Sequence, residues 1–375
     1  MGGPAMSVVE AASAPPSGPP RITWTHPPGG LLGLSLVNGL LRVLTLGVYH
    51  FWGKTEARQR IWAAVRIDGE PLEYRGTGGE LFRGFLIVFA LVLLPLTLIG
   101  FVPLLVGTNL WENIGFQIAV FVFIIGLGGF GMFRARRYRL SRTRWRGIRG
   151  GLSGSATPFA WTYAWSTILI PATLGWIIPW RAARLQRDLF NETHFGDKAF
   201  TFEGRSGPLY RRFWLVWTSA IGLYFAAFTG IFLVYLAPLV KVPRRPDAQL
   251  PPPSTEQIVA ILAIVLASLL IFAMIRAWYS SRMFNYFASV TRYRDCRFRL
   301  ATTVPSLIWL VATNYLMRLL SLGVLSPVAE ARTMRYIIER LSVEGTADWP
   351  AVGQNPDALM ARGEGLAEAF DVDAF

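Results

Sequence analysis

Asn38 with Arg42, and Asn314 with Arg318, sit four residues apart inside runs that are otherwise almost free of charge. That spacing places an amide and a guanidinium on one helix face. A guanidinium inside an apolar segment is costly enough that a functional role is the default reading. Such a pair can hold a substrate or lipid headgroup of negative charge, or line a polar path. The structural alternative is that both arginines snorkel to a nearby interface while the asparagines hydrogen-bond across helices.

Other chemistry finds little support in the sequence. His26, His50 and His194 fall at unrelated places, no H-E-x-x-H or phosphate-binding loop occurs, and the single Cys296 excludes an intramolecular disulfide. "GLGGFG" (126–131) fits a dinucleotide-binding pattern but lies within an apolar run, which reads as close helix packing. "GLSGS" (151–155) misses a nucleophile elbow by one residue. Asp68 and Glu73 read as a surface turn and an arginine-paired strand residue rather than a catalytic carboxylate pair. The expectation is a protein with no catalytic residues, no metal and no cofactor.

The elements that position the Asn–Arg pairs follow from composition. Hydrophobic residues make up 53% and charged ones 16%, with a mean hydropathy of +0.39. A chain this apolar folds in a bilayer. Runs at 84–106, 113–133, 213–240 and 257–275 are long enough for helices to cross about 30 Å of hydrocarbon. The net charge of +14 is read as lipid-facing and orienting rather than as a nucleic-acid footprint. The expected partners are the bilayer and its anionic phospholipids, with no nucleic acid. Residues 1–20 lack the basic and apolar regions of a secretory signal and read as a disordered tail; 346–375 read as a soluble C-terminal tail.

The sequence repeats itself. A shift of 128 lays Thr45-Leu46-Gly47 on Thr173-Leu174-Gly175, Trp52 on Trp180, and Leu72, Tyr74 and Gly76 on Phe200, Phe202 and Gly204. A further 148 lays Leu174-Gly175 on Leu322-Gly323, and Arg184 and Arg187 on Arg332 and Arg335; the same shifts superpose Arg21, Arg149 and Arg297. Periodicity on this scale indicates copies of a whole supersecondary unit. Each opens with a short strand, passes an apolar segment to a Leu-Gly step, and continues as a basic helix and a closing strand. The units span about 21–85, 149–213 and 297–345 of a membrane domain covering 21–345, and helical hairpins at 84–133 and 213–275 separate them. Gly47, Gly175 and Gly323 permit the sharp turn. The helix after the first step carries Val48, Phe51 and Trp52 on one stripe, so it reads as lying in the interface, with Trp52 and Trp180 as anchors at headgroup depth.

"LTLGVYHFWGK" and "RIDGEPLEYRGTGGELFRGF" (66–85) resemble the YjgN-like family, a bacterial inner-membrane domain of unknown function. The likeness covers most of 21–345. The third copy departs from it, with Val328 in place of the tryptophan and a degenerate last strand around Val343 to Gly345. The resemblance implies a multi-pass membrane protein and supplies no catalytic residues.

Lysine and arginine number six in 52–83, eight in 134–149, seven in 181–212, six in 276–299 and three in 331–340, against none in 107–112 and three in 241–257. With the two hairpins alone crossing, the balance is 30 to 3; with the Leu-Gly segments also crossing, it is 20 to 13. The positive-inside bias favours four crossings and three segments that re-enter or lie near the cytoplasmic surface. The fold class expected is thus an all-α membrane protein: a polytopic helical bundle with three tandem repeat units and short β elements on its cytoplasmic face. The function expected is transport or channel-like, in the inner membrane. The alternative is a non-catalytic scaffold that binds anionic lipids or partner proteins through its basic face.

Overall fold

The computed structural model describes residues 18–106, 114–237, 252–346 and 348–355. Nearly all of the expected N-terminal tail, the loop of the first hairpin, most of the Pro-rich loop of the second and the chain beyond 355 lie outside these. In chain order the elements begin β1 (Ile22–Trp24), α1 (Leu32–Leu44), α2 (His50–Ala64), β2 (Val65–Ile67), β3 (Glu70–Pro71) and β4 (Glu73–Tyr74). Next come α3 (Gly78–Val88), running through a π-helical turn into α4 (Leu94–Val106), then α5 (Ile114–Arg142), β5 (Thr143–Trp145) and β6 (Ile148–Leu152). The middle holds α6 (Ala156–Ala172), α7 (Ile178–Phe190), β7 (Thr193–Phe195), β8 (Lys198–Phe202), α8 (Gly207–Ile231) and α9 (Thr255–Ser289). β9 (Thr291–Tyr293), β10 (Cys296–Leu300), α10 (Val304–Leu320), α11 (Ser326–Ile338) and β11 (Leu341–Glu344) follow, and then a single 3₁₀ turn at Trp349–Ala351.

Among the described residues four helices are long and apolar enough to cross a membrane: Gly78–Phe101, Ile114–Arg142, Gly207–Leu236 and Thr255–Ser289. Each abuts a strand at one end, so all four stand on the same sheet layer. The helices dominate, yet the chain is not all-α. β4 to β11 form an eight-stranded antiparallel meander in sequence order, and β1, β2 and β3 form a second sheet of three strands. Two-residue turns at Asp68-Gly69, Arg146-Gly147, Gly196-Asp197 and Arg294-Asp295 join the hairpins, with left-handed φ at Asp68, Arg146, Gly196 and Arg294.

The ladders tie together the two ends of each helix-turn-helix. Ile22 faces Ile67, Gly150 faces Phe195, and Phe298 faces Val343. These pairs are separated by the same 128 and 148 residues that align the sequence. A segment whose two ends pair in one ladder must leave the sheet and come back to it. With 13 residues in α1 and 17 in α6 and α10, the outgoing arms rise only ~20 and ~26 Å, short of the hydrocarbon thickness. The Leu-Gly segments therefore leave the sheet layer and return to it.

Packing departs from the hairpin picture in one respect. α8 lies along α9, but α5 runs mainly against α6. A Cβ on Gly129 would come within 3.0 Å of the Ala160 backbone, so this glycine of the run serves close helix packing, while Gly126 faces open space. α3 meets α5 at the basic end, where the Glu80 carboxylate accepts from Tyr138 Oη at 2.6 Å and from Arg142 Nη2 at 2.6 Å. α2 also differs from the amphipathic pattern expected: its buried residues are not confined to one stripe. Phe51, Ala57, Arg58, Ile61 and Ala64 are all buried, Arg58 to 5% exposure, and Trp62 donates to Thr143 Oγ1. The helix is enclosed by neighbours that an amphipathic pattern alone does not disclose.

In the sheet layer Trp145 is 1% exposed. Burial pushes the Tyr293 phenol up to about 12 and raises the Cys296 thiol, with Asp295 adding to the latter. Glu80 is the acid that closes the α3–α5 junction. Replacing Glu80 by Ala leaves Arg142 and Tyr138 without their shared acceptor, with an expected loss of about 2 kcal/mol. Thermal or denaturant unfolding in detergent measures it, and a loss below about 0.5 kcal/mol would show the junction to be a surface pair.

Candidate functional site

Each helix-turn-helix tip is built the same way. The amide of Gly47 donates to Arg42 O at 2.7 Å, that of Gly175 to Ile170 O at 2.7 Å, and that of Gly323 to Arg318 O at 2.7 Å. Leu46, Leu174 and Leu322 then donate to the carbonyls of Val43, Pro171 and Leu319. This is the Schellman pattern, whose first residue beyond the cap takes left-handed φ and is usually glycine. Here that residue is leucine, at φ 51, 49 and 50°, and the glycine follows at 92, 83 and 82°. A left-handed leucine costs ~1–2 kcal/mol. The side chains of Leu46, Leu174 and Leu322 are 94%, 72% and 89% exposed, an arrangement that suits hydrocarbon and not water.

A hydroxyl joins the two arms. Thr45 Oγ1 accepts from the Tyr49 amide, Thr173 Oγ1 from Ile177 and Ser321 Oγ from Leu325. Ser321 escapes the sequence comparison because serine replaces threonine there. The two asparagines brace the arms further down. Asn38 Nδ2 donates to Gly53 O at 3.3 Å, while Asn314 Nδ2 donates to Ala329 O at 3.2 Å and Thr333 Oγ1 at 3.1 Å. Their Oδ1 atoms are buried without a hydrogen-bond partner. In the middle segment Ser166 occupies the equivalent place and bonds within its own helix, to Thr162 O.

The first and third helix-turn-helices meet directly. Leu31, Leu34, Ala57 and Ile61 share a core with Ala331, Val328 and Met334. At the tips the approach is closer: a Cβ on Gly39 would lie 2.7 Å from Val324 Cγ1. Above this contact lies a cavity of about 1060 Å³. Asn38, Arg42 and Gly47 line it from one side and Arg318, Ser321 and Gly323 from the other. The structure thus brings together the two arginines, although 276 residues separate them. Asn314 does not line it, and Gly175 is elsewhere. Trp52 packs on Phe82 at 5.6 Å, and Trp180 packs on Trp165 at 5.0 Å beside a smaller cavity of about 450 Å³ that Arg184, Arg187 and Arg205 also line.

Among the described residues neither the Arg42 nor the Arg318 guanidinium makes a hydrogen bond or ion pair. Apolar wall comes from Val43, Leu46, Val48, Phe82 and Leu322. His50, Lys54 and Glu330 also line the cavity. Lys54 and Glu330 are the residues that the shift of 276 superposes with opposite sign, a signal the sequence held. No group of three His, Cys, Asp or Glu placed to hold a metal is found among the described residues. The arrangement can accept a molecule with one anionic end and an apolar body.

A family model described as "Bacterial protein of unknown function (DUF898)" matches residues 21–369. The chain belongs to this family. Among its relatives, Inner membrane protein YjgN of Salmonella typhimurium is 28% identical over 142 residues, which is 38% of this chain and 33% of that protein. Inner membrane protein YjgN of Escherichia coli K12 is 27% identical over 143 residues, with the same shares. The alignment spans about a third of these relatives' length. No solved structure matches the chain. The four long apolar helices among the described residues agree with relatives named as inner membrane proteins.

The braces differ in strength, and so should their removal. Asn314→Ala deletes two hydrogen bonds at a buried site and is expected to cost about 2 kcal/mol; Asn38→Ala deletes one long bond and should cost about 1 kcal/mol or less. Unfolding midpoints of the two variants in one detergent check the order, and equal losses would refute it.

Proposed function

We propose that this DUF898 protein is a non-enzymatic membrane protein that takes an anionic amphiphile into the cavity between its first and third helix-turn-helices and moves it within the inner membrane. In this reading the three helix-turn-helices are copies of one unit and the sheet layer is cytoplasmic. The observation that carries it is the pairing of Arg42 and Arg318, both unpartnered among the described residues, with an apolar wall in a cavity of about 1060 Å³. Two guanidiniums suit a phosphate or carboxylate, and the leucine-lined sides suit acyl chains. A hydrophilic solute would use the first feature and be repelled by the second. Anionic phospholipid is the partner the chemistry fits; the net charge of +14 serves lipid rather than nucleic acid.

The cytoplasmic assignment rests on the Lys and Arg distribution, 30 on the sheet side against 3 in the two hairpin loops. A second reading, a scaffold that binds lipid through a basic surface without moving it, is favoured by the smaller cavity that Arg184, Arg187 and Arg205 line.

Lipid retained by the purified protein tests the site. Arg42→Ala with Arg318→Ala should lower co-purified anionic phospholipid at least tenfold against wild type and against Arg299→Ala, an exposed control. Unchanged retention would sink the site. If retention falls but wild-type protein in liposomes moves no labelled phosphatidylglycerol between leaflets, the scaffold reading replaces transport.

Sidedness has its own measurement. In a Cys296→Ser background, Thr201→Cys on β8 should react with a membrane-impermeant maleimide in inside-out vesicles and not in right-side-out ones. The reverse pattern would place the sheet outside.

A further inference from the structure

The chain after β11 does something that its counterparts do not. After β2 and β7 the chain turns through two residues into a further strand, at Glu70–Tyr74 and Lys198–Phe202. The shift of 148 places Glu344-Gly345 on the second of these turns and 346–350 on the strand. No strand forms at 348–350. Gly345, at φ 101° and with no room for a Cβ against Asp295 O, sends the chain out of the ladder. Residues 348–355 then cross the tips of the β-hairpins.

The crossing segment is held at every turn it passes. Trp349 Nε1 donates to Asp68 Oδ2 at 2.9 Å, and Arg294 Nη1 to Asp348 O at 3.1 Å. Gly353 and Asp197 exchange two bonds: the Gly353 amide donates to Asp197 Oδ1 at 2.9 Å, and the Asp197 amide to Gly353 O at 3.1 Å. The Gln354 side chain is read at both ends, donating to Gly147 O at 3.0 Å and accepting from the Arg149 amide at 3.0 Å. Arg149 Nη2 reaches Asn355 O at 2.8 Å.

Apolar contact rests on two residues. The Trp349 ring stands 4.7 Å from Trp145 and 6.4 Å from both Phe195 and Tyr293, and Val352 is buried. The fit depends on Gly196, since any Cβ there would collide with Gly353 O.

These are the features of a peptide-recognition surface: an aromatic anchor in a pocket, main-chain bonds from a fixed turn, and an amide read as both donor and acceptor. The segment adds no rung to the sheet, and most of its polar bonds lie at the exposed edge, so its release leaves every ladder intact. We infer that the hairpin-tip face is a binding site for a short extended peptide carrying tryptophan, an aliphatic residue three positions on, then glycine and two amide side chains, and that residues 348–355 are its exchangeable resident. This site is independent of the lipid reading.

A protease site substituted for residues 346–347 in the full-length chain converts the resident into a ligand. After cutting, the C-terminal segment should stay with the protein through gel filtration and be displaced by excess synthetic peptide of sequence 346–358. The Trp349→Ala version of that peptide should displace at least tenfold more weakly, and Asp68→Ala in the protein should speed release. Three outcomes would overturn the inference: a segment that leaves on cutting with no rebinding of peptide, one that a thousandfold excess fails to displace, or a cut protein that unfolds. Hydrogen exchange on the uncut chain gives a second reading. The Gly353 and Asp197 amides should exchange faster than the β7 and β10 ladder amides; exchange by global unfolding alone would mean that the segment is fixed structure.

Discussion

Ile22 against Ile67, Gly150 against Phe195 and Phe298 against Val343 are short ladders, yet the rest of the architecture hangs on them. A strand whose edge is open cannot sit in hydrocarbon, because no water is there to take its unpaired backbone groups. The ladders thus hold both ends of each helix-turn-helix at an aqueous or interfacial layer. Everything between the ends, α1 and α2 for instance, must then leave the sheet layer and return to it. The short length of the outgoing arms, the Schellman turn and the exposed leucine at each tip are consequences of that one constraint. So is the common origin of the four long apolar helices among the described residues, each of which starts or finishes beside a strand.

The tips show what solvent does to the usual preferences. In water a left-handed leucine with most of its side chain exposed is disfavoured by its backbone and by its surface. Under the proposed placement of the tips in hydrocarbon the second objection disappears, and the backbone strain of ~1–2 kcal/mol at Leu46, Leu174 and Leu322 is offset by the hydrogen bonds of the capped turn. Glycine at the following position takes the larger φ, from 82 to 92°. The Leu-Gly step is therefore a two-residue device, of which glycine is the half that is visible as a conformational signal.

How much of this the sequence discloses depends on whether the cause is local. The shifts of 128 and 148, read from Thr-Leu-Gly, Trp and Arg positions, carry the strand registers as well, because a two-residue turn after a fixed helix length leaves no freedom in pairing. The four long apolar runs are legible for the same reason: about 30 Å of hydrocarbon demands them. Enclosure of α2 is not legible, since its burial comes from α1, α3 and α11 together and Arg58 carries no mark of being inside. Asn314 follows the structural alternative: an i, i+4 argument groups it with Arg318, but it hydrogen-bonds across helices to Ala329 and Thr333. The docked segment 348–355 is the least legible: its binding uses one indole, one aliphatic side chain and main-chain groups, none of which produces a period.

Two helix pairs lie between three helix-turn-helices in the described chain, and this mismatch explains where the cavity is. Between the first and second, and the second and third, α3 to α5 and α8 to α9 cover the faces of the short helices. The third and first have each other instead, through Gly39 and Val324 at the tips and Ala331 against Ile61 lower down. Contact between short re-entrant arms cannot fill the space that a pair of full-length helices fills elsewhere, so a cavity opens beside the tips. The residues that face it are those whose backbone lies at the turn, which brings Arg42 and Arg318 to one place by the logic of the fold rather than by proximity in sequence. The middle segment is flanked by helices on both sides, its cavity of about 450 Å³ lies beside Trp180 and not at the tip, and it carries Ile170 where the other two carry arginine.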